Sequence, residues 1–82
     1  MIEAKIFITL KETVADPQGL TIKHALESLG FNELGDVRIG KLITLKLKTN
    51  NKNDSKKQID DMCKKLLANP VIEDYSFQII EA

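Results

Sequence analysis

Leu10-Lys11-Glu12-Thr13-Val14-Ala15-Asp16-Pro17-Gln18-Gly19 is the stretch where this chain changes its period. Asp16 is placed to accept a hydrogen bond from the free N–H groups of a first helical turn, and Pro17 follows where a missing donor is harmless. A helix therefore begins here. Upstream, Ile2, Ala4, Ile6, Ile8 and Leu10 alternate with Glu3, Lys5, Phe7 and Thr9, the pattern of a half-buried strand. Phe7 breaks the polar face, either as a lone exposed aromatic or as a contact to another subunit. Downstream, Ile22, Ala25, Leu26 and Leu29 recur at i, i+3, i+4 and i+7, and predict one apolar stripe on a helix ending at Gly30. His24 lies beside that stripe and is the chain's one histidine, so it reads as a surface or boundary residue.

The same two periods return. After the loop Phe31-Asn32-Glu33-Leu34-Gly35, the odd positions Val37, Ile39, Ile43, Leu45 and Leu47 resume strand alternation, with Arg38, Leu42, Thr44, Lys46 and Lys48 opposite. Lys41 interrupts the apolar face just after Gly40. The interruption predicts a bend, a bulge or a strand that changes sheets, with a tight Gly40-Lys41 hairpin as the competing reading. Thr49 to Asp54 is polar and turn-rich. Ser55-Lys56-Lys57-Gln58 has capping-box spacing, with Asn53 or Asp54 as other caps. Ile59, Met62, Cys63 and Leu66, with Leu67 beside them, form a second stripe that Asn69-Pro70 terminates. Cys63 reads as a small buried hydrophobe, and Lys56-Lys57 and Lys64-Lys65 as a solvated face. In the last strand Tyr75, Phe77 and Ile79 alternate with Ser76, Gln78 and Ile80.

The expected order is β-α-β-β-α-β, two similar halves about forty residues apart. Two helices packed on one face of a mostly antiparallel sheet give an α+β fold in a single domain, residues 1–82. The other face would turn Phe7, Leu42 and Ile80 toward a partner, making them the candidate self-association residues. Eighty-two residues with 5% aromatics and no Trp make a marginal core, for which oligomerisation is a natural remedy.

Composition narrows the function classes. Twelve basic residues balance twelve acidic ones, so no global field draws nucleic acid or an anionic membrane. A single cysteine forms no internal disulfide, Met1-Ile2-Glu3-Ala4-Lys5 lacks the features of a secretion signal, and no apolar run nears the roughly 20 residues of a membrane span. A cytoplasmic location is expected. The sequence offers no Gly-rich phosphate loop, metal-ligand spacing or nucleophile-and-base pair. Asp60-Asp61 and Glu73-Asp74 are adjacent pairs without catalytic spacing. An RNA-binding sheet would want several aromatics on its open face, where only Phe7 qualifies.

Thr9-Leu10-Lys11-Glu12, Asp16-Pro17-Gln18-Gly19, Ala25-Leu26-Glu27-Ser28-Leu29-Gly30, Asp36-Val37-Arg38-Ile39-Gly40-Lys41 and the run from Met62 to Tyr75 together resemble the PurS family. That family is the small subunit of phosphoribosylformylglycinamidine synthase. The likeness runs in order along nearly the whole chain, departing chiefly in the Asn- and Lys-rich loop before the second helix. It implies a role in purine biosynthesis, in a complex that converts formylglycinamide ribonucleotide, glutamine and ATP to formylglycinamidine ribonucleotide, glutamate, ADP and phosphate. In such complexes a glutaminase subunit (PurQ) releases ammonia and a synthetase subunit (PurL) consumes it. The resemblance implies a non-catalytic dimer or tetramer that bridges them and assists ammonia transfer, with no cofactor of its own and ATP and Mg on the synthetase. Arg38 and Lys41, in a family-matching segment, are the candidate partner interface, on a rim brought together by a bend at Gly40. A small-molecule-sensing regulatory domain of similar topology is the alternative, and a nucleic-acid module stands further behind.

Overall fold

Alternation settles the sheet. In the computed structural model, which describes residues 1–81, the apolar face of β1 (Ile2–Leu10) is wholly sequestered, with Ile2, Ala4, Ile6 and Ile8 each 1% exposed or less. β1 can bury all four because it is the middle strand: β2 (Gly40–Leu47) and β3 (Glu73–Glu81) flank it, both antiparallel. The register sets Ile6 between Ile43 and Phe77, and Ala4 between Leu45 and Ile79. One face of the sheet is thus an apolar platform.

α2 (Lys52–Met62), the π turn that continues it, Cys63–Leu67, and the residue after it cover that platform with Ile59, Cys63 and Ala68. The helix starts earlier than the capping-box spacing suggested, because Asn51 Oδ1 accepts from the Asp54 amide at 3.1 Å. Ser55, instead of capping, is buried and donates its hydroxyl to Asn51 O at 2.8 Å. The π turn also corrects the second stripe. Its wider turn, closed by the Ala68 amide on Cys63 O at 3.0 Å, brings Leu67 and Ala68 toward the sheet and leaves Leu66 83% exposed.

α1 (Pro17–Ser28) begins and ends where the sequence places it. Asp16 caps it, and Gly30, at φ +100°, closes it with the Phe31 amide on Leu26 O and the Gly30 amide on Glu27 O. Those are the paired bonds of a left-handed glycine cap. Its packing is different from the expectation. α2 lies on the sheet, whereas α1 supplies nothing to the core; its single buried residue is Gly19, and Ile22 and Leu29 are 40% and 74% exposed. The chain spreads over 48 × 28 × 14 Å.

The expected strand from Val37 is shorter than its alternation. Residues 36–39 stay outside the sheet and β2 starts at Gly40, so three strands replace four. Neither bend nor hairpin forms at Gly40-Lys41, since Lys41 sits in unbroken register opposite Ile8. The Ile39 amide is taken by a carboxylate from elsewhere, which removes it from any strand ladder. No helix is long and apolar enough to cross a membrane among the described residues.

Candidate functional site

Asp16 organises the junction where β1, α1 and β2 meet. Its Oδ1 accepts from the Gly19 amide at 2.9 Å, the expected cap, and its Oδ2 accepts from the Ile39 amide at 2.8 Å, a contact the sequence did not suggest. One carboxylate thereby ties the start of the helix to the segment entering β2. The amide of Ile39, then that of Gly19, holds the Asp16 carboxyl below its ordinary acidity range, with Arg38 adding a smaller charge effect. Gly19 is obligatory for closeness: a Cβ there would run into the carbonyl oxygen of Val37.

The two candidate cations diverge. Arg38 Nη2 donates to the carbonyls of Lys11 at 3.0 Å and Val14 at 2.9 Å, closing the β1–α1 turn. Lys41 turns the other way, onto the platform side, where its Nζ lies 3.7 Å from Glu73 Oε2 across β1. Glu73 is anchored in turn, accepting from the Asn69 amide at 2.7 Å. A charge on the apolar face is tolerated because an opposite charge on the same face answers it. Glu73 was the missed partner, and a signal existed: it shares the face parity of Tyr75, Phe77 and Ile79, as Lys41 shares that of Ile43 and Leu45.

Between these groups lies a cleft of about 290 Å³ with Ile8, Leu10 and Ile39 in its walls and Gln18, Lys41 and Glu73 at its polar edge. Its charged groups are already engaged with each other or with backbone, so the arrangement braces the junction. No cluster of three or more His, Cys, Asp or Glu side chains suited to a metal exists among the described residues. Elsewhere Tyr75 donates to Asp60 at 2.6 Å and Lys64 lies 2.9 Å from the same carboxylate. Tyr75 foremost, then Lys64, pulls the Asp60 carboxyl down, and the bond to Asp60 pushes the Tyr75 hydroxyl up. Burial raises the Cys63 thiol, so the thiol is inert packing.

The self-association candidates all lie on the open face of the sheet. Phe7 and Leu42 are directly opposite in the register and are 39% and 58% exposed. Ile80, 42% exposed, pairs with Glu3 and is separated from them by the polar row Lys5, Thr44 and Gln78. They form one apolar pair and one isolated side chain.

With that geometry in place, likeness to known proteins is informative. Residues 3–81 match the family described as "PurS: Phosphoribosylformylglycinamidine (FGAM) synthase". The phosphoribosylformylglycinamidine synthase subunit PurS of Bacillus subtilis is 46% identical over 81 residues, covering 99% of this chain and 95% of that protein. The crystal structure of PurS from Methanocaldococcus jannaschii, a subunit of formylglycinamide ribonucleotide amidotransferase, superposes with a TM-score of 0.89 at 41% identity, covering 100% of this chain and 99% of that one. A chain in the structure of PurLQS from Thermotoga maritima superposes at 0.85 with 27% identity, covering 98% and 99% respectively.

Proposed function

The chain belongs to the PurS family and is a subunit of phosphoribosylformylglycinamidine synthase in purine biosynthesis, and on that footing we propose that it serves there as a non-catalytic bridge. It joins a glutaminase subunit to an ATP- and Mg-dependent synthetase subunit, assists the passage of ammonia between them, and self-associates as a dimer or tetramer in the cytoplasm. The observation that carries this reading is the state of the junction's polar groups. Both oxygens of Asp16 and one nitrogen of Arg38 are hydrogen-bonded within the chain, and Glu73 accepts at one oxygen and faces Lys41 with the other, leaving a braced surface in place of a reactive constellation.

The test is reconstitution with and without this chain. Its omission should abolish glutamine-dependent formation of formylglycinamidine ribonucleotide while sparing much of the reaction driven by added ammonium. Equal loss in both assays would reduce the chain to a general stabiliser of the synthetase and refute ammonia transfer.

A further inference from the structure

The lysines are unevenly placed. Residues 46–57 hold Lys46, Lys48, Lys52, Lys56 and Lys57 against one acid, Asp54, a net of +4 in a chain whose total charge is zero. All five are exposed, and none is ion-paired among the described residues, where the ion pairs belong to Lys41, Lys64 and Lys65. The nearby acids are already engaged. Asp54 Oδ2 accepts from the Gln58 side-chain amide at 2.8 Å, and Asp60 and Asp61, one turn beyond Lys56 and Lys57, are held by Lys64 and Lys65 at 2.9 Å each. Glu3 stands opposite Lys46 in the register, on the neighbouring strand. The charges share one end of the molecule: β2 runs out beside Ile2, and the Met1 ammonium donates to Asn50 Oδ1 at 2.9 Å in the turn that leads to α2.

These cations are costly where they stand. Lys52 occupies the first position of α2, where the helix dipole disfavours positive charge, and Lys52 and Lys56 are like charges one turn and about 6 Å apart. Cations kept against a local cost, with nothing in the chain to offset it, point to a use outside the chain. The make-up of the patch selects the partner. Residues 46–57 include no arginine to fork a phosphate, no aromatic to stack a base and no exposed apolar side chain to enter a bilayer, which disfavours RNA and membranes. Long, hydrated ammonium groups suit steering toward an acidic protein surface. We propose that this lysine end docks on an acidic face of the glutaminase subunit. The inference deepens the bridging function above and rests on it. A synthetase that gathers ATP and a ribonucleotide needs a positive field around its entrance, which would repel these lysines, whereas glutamine carries no net charge and leaves a glutaminase free to be acidic. The position also suits a bridge. From Ile2, beside Leu47, to Thr9, beside Gly40, β1 runs about 24 Å, so the lysine end and the Asp16 junction can face different neighbours.

Stopped-flow fluorescence of labelled glutaminase subunit, mixed with this chain bound to the synthetase subunit, decides the matter. Lys48→Gln/Lys52→Gln/Lys56→Gln should slow association about 10-fold or more at about 0.1 M salt, and its rate should converge with the parental rate at about 1 M salt, where charges are screened within about 3 Å. Lys48→Arg/Lys52→Arg/Lys56→Arg keeps the charge and should keep the parental rate. All three positions are exposed and unpaired among the described residues, so the Gln variant should melt no lower than the parent and hold its mass in light scattering. Equal rates and equal salt dependence in the Gln variant and the parent would overturn the proposal. Slowed binding to the synthetase subunit, with the glutaminase step unchanged, would also overturn it by moving the surface to the other enzyme. Loss of binding to a single-stranded RNA, with assembly unchanged, would overturn it in favour of a nucleic-acid face. If neither enzyme subunit takes up the parental chain, the bridge itself fails and this surface with it, a result distinct from the others.

Discussion

Ile59→Ala and Leu66→Ala make a paired test of the π turn. Helical spacing puts both residues on one stripe, yet Ile59 is fully buried against β1 and Leu66 is 83% exposed. Truncating Ile59 removes three buried carbons, about 2.4 kcal/mol of transfer free energy at 0.8 kcal/mol each. The cavity left behind raises the cost toward the upper part of the 2–5 kcal/mol range for such changes. Urea denaturation followed by circular dichroism should therefore show Ile59→Ala destabilised by about 3–4 kcal/mol, most of what a chain this small can lose. Leu66→Ala should stay within about 0.5 kcal/mol of the parent, and Leu67→Ala, half-buried, should fall between. Repeating the unfolding at several protein concentrations separates any association effect, which moves with concentration, from packing, which does not. A loss above about 1.5 kcal/mol for Leu66→Ala, independent of concentration, would mean that an ordinary α-helix presents Leu66 to the sheet, and the π turn would have to be abandoned.

Asp16→Asn keeps a capping oxygen but loses the charge. Because the folded-state carboxyl titrates below its ordinary value, its contribution is fully present above pH 3.8 and is lost as pH falls through the depressed value. The variant should be less stable at neutral pH and lose less on acidification, and parallel pH–stability curves would contradict the assignment. Gly19→Ala forces a Cβ into Val37 O and should cost about 1–3 kcal/mol, whereas Gly35→Ala, which meets open space, should be near neutral; thermal melts compare them directly. Arg38→Gln removes two carbonyl contacts and should lower stability by about 1 kcal/mol, while Lys41→Gln, losing an exposed pair, should stay within about 1 kcal/mol. If Arg38→Gln leaves the melt unchanged but weakens assembly with the synthetase subunit, Arg38 is a partner contact rather than a brace.

Local signals in the sequence were sufficient at β1 and α1, though not at the start of α2, where Asn51 caps ahead of the Ser55 spacing. Asp16-Pro17 and Gly30 fix both ends of α1 because capping is decided within four residues, and the alternation of β1 fixes which side is buried. What escaped reading depends on partners distant in the chain. Arg38 reaches carbonyls 27 and 24 residues away, and backbone carbonyls leave no mark in a sequence. Lys41 finds Glu73 only because β1 lies between their strands, so the pairing is a consequence of strand order. Alternation likewise overran the true start of β2, since hydrophobicity reports burial and not whether an amide is already engaged, as that of Ile39 is by Asp16. The π turn is invisible for a similar reason: Leu66 and Leu67 are both leucine, and either satisfies the pattern.

The position of α1 bears on its stability. A helix of 12 residues is marginal in water by itself, and this one draws nothing from the core. The Asp16 cap, the glycine closure at Gly30 and the Lys23 ammonium on Gly35 O at 3.0 Å stiffen its ends, yet each is a local bond and only the first is buried. Most helical stability in proteins comes from burying an apolar face, and the face formed by Ile22, Leu26 and Leu29 finds no cover in its own chain. Within the single chain, α1 is held chiefly by the Asp16 junction and by its caps. The junction braces the direction of α1 in the free chain, so little ordering would remain to oppose the docking of its apolar stripe on any partner.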